Sequence, residues 1–250
     1  MSKPLLTPYG VPPQVIGSIA EENMRALGEM AMNSTDMRFG LWWRRDRQPP
    51  ELQNEPCTLQ YLESNLLPQY EDKRPAIELL KPALLCILKK WEALEDWGAR
   101  CDDFEVNVYA ANLDPDNNAL IFEGTNLWHQ DLEWSGSEYV TLRCLTSNTL
   151  PPRFIDTTRK KHYRKRKAFK RETEERDNLF SRNIEAYARQ NGLFVMPKVA
   201  ELVMFDGGTI HKAICAEEPV DRVLIDFNQR ITLPKNFKER LAAGDIPKLG

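Results

Sequence analysis

Two of the three histidines in the chain stand in stretches whose residue types can bind metal. In Trp128-His129-Gln130-Asp131 an imidazole and a carboxylate are two positions apart, and on an extended segment such side chains share a face. The second histidine, His211, closes Phe205-Asp206-Gly207-Gly208-Thr209-Ile210-His211 far downstream and could complete a three-ligand cap. His129, Asp131 and His211 are therefore the candidate metal ligands and the candidate catalytic residues. Two imidazoles and one carboxylate leave roughly three of six octahedral positions open to reactants, a donor set suited to Fe(II) in oxygen chemistry. Arg222 follows on a later segment.

Such a triad needs a sheet, and the period of the sequence changes where one is required. Arg74 to Arg100 is helical: Ile77, Leu79, Leu80, Ala83, Leu84, Ile87, Leu88 and Trp91 recur at helical spacing, with Pro82 expected to kink or divide the helix. From Phe104 the period is two. Phe104, Val106, Val108 and Ala110 share one face, and Glu105, Asn107 and Tyr109 the other. Further strands are read at Ala119 to Phe122, Tyr139 to Ser147, Glu201 to Phe205 and Thr209 to Ile214. The last is Asp221 to Ile231, with Arg222, Leu224, Asp226 and Asn228 on one face and Val223, Ile225 and Phe227 on the other.

Before these come a Pro-rich extended arm, Met1 to Pro13, and a helix to about Met32 that Ser18-Ile19-Ala20-Glu21 opens as a capping box. Trp42-Trp43 beside Arg44 and Arg45 could stack on a base or sugar, though such residues are more often core or half-buried. The expected organisation is one integrated domain. Residues 1–100 form a helical support region, 101–234 a catalytic core with a charged helical insertion at about 155–190, and 235–250 a closing helix. Helices followed by roughly eight short strands give a mainly β fold, a sandwich or jelly roll with helical support.

The segment from Phe104 to Ile231 resembles the double-stranded β-helix core, jelly-roll and cupin-like, of Fe(II)- and 2-oxoglutarate-dependent dioxygenases, in their prolyl-hydroxylase-like branch. The matching features are the strand carrying Tyr109, the His129-x-Asp131 pair, the strand running through Phe205-Asp206-Gly207 to His211, and Arg222 within Arg222-Val223-Leu224-Ile225-Asp226-Phe227. About half the chain is covered. The resemblance implies Fe(II), 2-oxoglutarate and dioxygen as cofactor and cosubstrates, with His129, Asp131 and His211 holding the iron. It implies a hydroxylase in which Arg222 grips the distal carboxylate of 2-oxoglutarate through two parallel hydrogen bonds. Tyr109 could add a hydrogen bond to that carboxylate, with Asn107 as the alternative; plain packing is an equal reading of Tyr109. The Gly-Gly-x-Thr stretch of that branch is absent here, replaced by Leu150-Pro151-Pro152-Arg153 and the insertion. The primary substrate is therefore not carried over.

Composition narrows the remaining classes. The net charge is −3, yet Arg159 to Arg171 holds nine Lys or Arg in thirteen residues, leaving the remainder near −12. That cluster could neutralise the phosphates of a nucleic acid or another anionic partner. The favoured reading is a solvated helix offset by Glu172, Glu174 and Glu175. Five scattered cysteines without CxxC spacing argue against a zinc site or a disulfide framework. No apolar leader or membrane-length run is present, so a cytoplasmic protein without membrane contact is expected. Two other classes stay open: a cupin-like metal enzyme that does not use 2-oxoglutarate, and a nucleic-acid-binding module acting through the 159–171 segment.

Overall fold

A computed structural model describes residues 5–34, 38–116, 127–131, 138–158 and 174–247. In chain order the elements begin with β1 (Gln14–Ser18), α1 (Glu21–Met32), β2 (Arg38–Arg44), α2 (Leu59–Tyr61) and α3 (Arg74–Asp96). They continue with β3 (Arg100–Leu113), β4 (Tyr139–Ser147), β5 (Arg153–Ile155), α4 (Glu174–Asn191), β6 (Phe194–Val195) and β7 (Glu201–Asp206). Last come β8 (Ile210–Lys212), β9 (Val220–Thr232) and α5 (Phe237–Ala242). The strands form a six-stranded antiparallel sheet in the order β1-β7-β4-β9-β3-β2 and a three-stranded one in the order β6-β5-β8. The protein is thus mainly antiparallel sheet with helices, as expected.

Alternation sorts the large sheet into two faces. Phe104, Val106, Val108, Val140, Leu142, Cys144, Leu202, Met204, Ile225 and Phe227 are buried in one cluster with the apolar stripe of α3 and with Met24 and Leu27 of α1. This helix-covered face is where the main core sits. It is held chiefly by the burial of apolar surface, which stabilises by roughly 25 cal/mol per Å². The other face carries Glu105, Asn107 and Tyr109 of β3, Arg143 and Leu145 of β4, and Arg222, Leu224 and Asp226 of β9. It turns toward the small sheet: Leu145, Val203 and Phe205 pack there on Phe154 of β5, with Leu224 alongside. At α1 the backbone must come close, since a Cβ on Gly28 would lie 2.5 Å from Val223 Cγ2.

Several expectations change. Pro82 does not divide α3, which runs from Arg74 to Asp96. The missing hydrogen bond is outweighed by the buried stripe on both sides of it. The Ser18 capping box does not form: Ser18 ends β1 in register with Glu201, and α1 starts from Ala20 with no side-chain cap. The Pro-rich arm is docked through buried Leu5, Leu6 and Val11 and is not a free extension. Two strands of the large sheet, β1 and β2, come from the first 100 residues. On β2 the side chains alternate, so Trp43 is core at 2% exposure while Trp42 stands 51% exposed with its indole N–H donating to Asp103. The strand read at Thr209 to Ile214 is shorter, Ile210–Lys212, and β3 runs on from the alternating stretch to Leu113. The strand read at Ala119 to Phe122 and the basic cluster Arg159 to Arg171 lie outside the described residues. No helix among the described residues is long and apolar enough to cross a membrane.

Candidate metal centre

Backbone pairing brings the two histidines together. His129 N–H donates to the His211 carbonyl and His211 N–H to that of His129, each at 3.0 Å, an isolated antiparallel bridge at the end of the small sheet. Two residues on, Asp131 N–H donates to the Gly207 carbonyl at 3.1 Å, so the Trp128–Asp131 segment lies extended along β8 and its turn. That extension puts His129 and Asp131 on one side, as the spacing requires. The turn is pinned from within: the buried Asp206 carboxylate accepts from Gly208 N–H at 2.8 Å and from Val11 N–H. Trp128 anchors the other flank, stacked on Phe194 and donating its indole N–H to Glu185 at 2.9 Å.

The imidazoles are presented in one tautomer. His129 Nδ1 lies 2.8 Å from the Leu127 carbonyl, and His211 Nδ1 2.9 Å from that of Thr209. A carbonyl only accepts, so in the neutral rings Nδ1 carries the hydrogen and Nε2 keeps its lone pair. Both Nε2 atoms face Asp131, at 3.7 Å from Oδ1 for His129 and 3.4 Å from Oδ2 for His211. One ligand atom from each of the three residues can be chosen so that all lie within 4.8 Å of one another. Two free nitrogen lone pairs and a carboxylate converging on one point are the donor set a divalent cation takes.

Electrostatics keep the group in the protonation states that metal binding needs. Burial alone would raise the Asp131 carboxyl, but His211, Arg143 and His129 together hold it below its ordinary value. Burial pushes His211 down to about 4 against the opposing pull of Asp131, with His129 and Arg143 adding to the depression. The unfolded chain takes up that proton near the ordinary 6.5, and the folded state refuses it until about 4. The metal-free protein should therefore lose stability as pH falls through that interval. Thermal melting between about pH 7.5 and 4.5 should show a steeper fall for the wild type than for His211→Asn. Parallel curves would show that His211 is not the titrating group.

Arg143 is the residue that reading the sequence missed. One of its Nη atoms donates to Asp131 Oδ2, and the other to Asp226 Oδ2 at 2.8 Å. Its guanidinium also lies 5.7 Å from the centre of the Phe205 ring, which in turn sits 5.1 Å from that of His211. A signal for it existed: Arg143 is the one charge within β4, on the face opposite buried Val140, Leu142 and Cys144. Asp226 lies on the face of β9 that the alternation predicts, and its role as the anchor of Arg143 appears only in the structure.

Arg222 is 2% exposed and lies on the same face of β9 as Asp226. Four residues of strand separate the two, about 13 Å. Burial lowers the Arg222 guanidinium to about 10. Its Nε reaches Ser147 Oγ at 3.4 Å and one Nη the Leu150 carbonyl at 3.3 Å, while Nη1 is buried without a partner among the described residues. Across the ladder Asn107 stands opposite Asp226, Tyr109 opposite Leu224, and Ala111 opposite Arg222. Tyr109 is thus a diagonal neighbour of Arg222, and Asn107 is closer to the Asp226 end.

No family model matches the sequence, and no curated protein matches it. Among solved structures, apo HygX from Streptomyces hygroscopicus aligns at 10% identity and a TM-score of 0.43, covering 88% of this chain and 80% of that one. AviO1 from Streptomyces viridochromogenes Tue57 aligns at 14% identity and 0.39, covering 91% and 92%. EvdMO1 aligns at 12% and 0.35, covering 90% of this chain and 48% of that one. Likeness of this degree leaves function to the site itself.

Proposed function

We propose that this chain is a non-haem Fe(II) oxygenase that uses 2-oxoglutarate and dioxygen to hydroxylate a primary substrate, on a double-stranded β-helix whose two sheets face each other across the metal centre. The observation that carries this reading is the pair of imidazoles with Nδ1 tied to backbone carbonyls and Nε2 directed at Asp131. A second feature supports the 2-oxo acid. The lone buried Nη1 of Arg222 is a cationic donor in want of an acceptor, and leaving such a group unpaired costs about 1–3 kcal/mol or more.

The residues divide the work as follows. His129 and His211 supply neutral nitrogen ligands, and Asp131 supplies the anionic ligand that balances part of the metal charge. Arg222 holds the distal carboxylate of the cosubstrate, with Tyr109 as a neighbouring donor. Leu224, Phe154 and Phe205 belong to one apolar cluster on this face, and the Phe154 and Phe205 rings lie near that of His211. Iron with 2-oxoglutarate supplies dioxygen activation coupled to decarboxylation of the 2-oxo acid to succinate.

The test is anaerobic titration of Fe(II)-loaded protein with 2-oxoglutarate, read by the weak visible charge-transfer absorption of a metal-bound 2-oxo acid. A saturable band establishes the class. Bound metal with no band sinks the 2-oxoglutarate assignment and favours a cupin-like metal enzyme instead.

A further inference from the structure

A carboxylate ligand has two oxygens, and an oxygenase of this kind has no coordination position to spare. If Asp131 used both, it would fill one of the roughly three positions that two histidines and one carboxylate oxygen leave open. Something must keep its second oxygen occupied. In this site both oxygens face the histidines, Oδ1 at 3.7 Å from His129 Nε2 and Oδ2 at 3.4 Å from His211 Nε2, and it is Oδ2 that also accepts from Arg143 Nη1.

Arg143 is itself held in place. Its other prong is fixed 2.8 Å from Asp226 Oδ2, and the same oxygen accepts from Asn228 Nδ2 at 3.1 Å. The plane of a guanidinium is rigid, so anchoring one prong orients the other. The arrangement is poorly explained as packing. Arg143 Nε and Asp226 Oδ1 are both buried without partners among the described residues, and buried ion pairs are often no better than apolar residues of similar size. Leu145, next along the same face of β4, is such an apolar residue packed against Phe205 and Phe154.

We propose that Arg143, anchored by Asp226, is a positioning residue that restricts Asp131 to one-oxygen coordination and so keeps a reactant position open at the metal. The inference rests on the metal-centre reading and deepens it, adding a residue outside the ligand set. Its effect is on the number of open positions, which is measurable without turnover.

The probe is Mn(II) alone, and the readout is the inner-sphere water-proton relaxivity of the Mn(II)-loaded full chain, which scales with exchangeable waters on the ion. Arg143→Met should bind Mn(II) with its relaxivity lowered by about a third, from roughly three open positions to two. Arg143→Lys keeps the charge but cannot bond both carboxylates from one rigid fork, so it should show the same fall. It also decides the matter alone if the methionine variant does not fold. Wild-type relaxivity in Arg143→Lys, or in both variants with Mn(II) fully bound, overturns the proposal. Absence of Mn(II) binding by the wild type overturns the metal-centre reading and this inference with it.

Discussion

Replacing His211 with Ala should abolish tight Fe(II) binding and all turnover. It removes one of the two proposed nitrogen ligands, whose lone pair is already directed at Asp131. The loss should exceed the ~10–100-fold that changes to outer-shell partners of metal ligands typically produce. The substitution also acts on the fold, because His211 is only 5% exposed and packs against Phe154 and Phe205. Truncating a buried ring of this size costs on the order of 2–4 kcal/mol. The β8 backbone pairing does not depend on the side chain, so a folded protein with a lower melting temperature is expected. Calorimetric titration with Fe(II) under anaerobic conditions, beside a melting curve, separates the two effects. A folded variant that binds iron as tightly as the wild type would remove His211 from the ligand set.

Arg222→Met should have two opposite consequences. With 2-oxoglutarate, the half-saturating concentration should rise on the order of 100-fold or more, because on the proposed assignment the distal carboxylate loses a buried, charge-assisted partner. Without it, the variant should melt at a higher temperature than the wild type. The folded state holds this guanidinium at about 10, well below its ordinary value, so charged Arg222 opposes folding at every pH below about 10. That cost is about 3 kcal/mol at neutral pH. Removing it should raise the melting temperature by several degrees in a chain of this size. Melting scans with and without cosubstrate read both signs at once. A variant that is destabilised in the ligand-free state and unchanged in its cosubstrate requirement would make Arg222 structural only.

The elements that the sequence discloses are those with a period. The stripe of α3 and the alternation of β3 from Phe104 to Ala110 state which face packs on the main core, because burial must follow the geometry of the backbone. The placement of Arg222, Leu224 and Asp226 on one face follows from the same alternation along β9. Where local signals compete, they mislead. Ser18 has the residue type of a helix cap, but pairing with Glu201 takes it into β1. The edge strands β1 and β2 are short or interrupted by Gly and Arg, and they gain their identity only from the neighbours β7 and β3.

The sequence by itself determined the candidate ligand types and the common face of His129 and Asp131, because residue identity and i, i+2 geometry are local properties. Tertiary structure decided that His129 pairs with His211, which nitrogen each ring presents, and that Arg143 joins Asp131 to Asp226, a partner 83 residues away. The first is decided by backbone hydrogen bonds between segments distant in the chain, the second by the carbonyl two residues before each histidine, and the third by side-chain ion pairs. Every residue other than proline carries the same N–H and C=O groups, so such pairing leaves no mark on the side chains that a reader of sequence could follow.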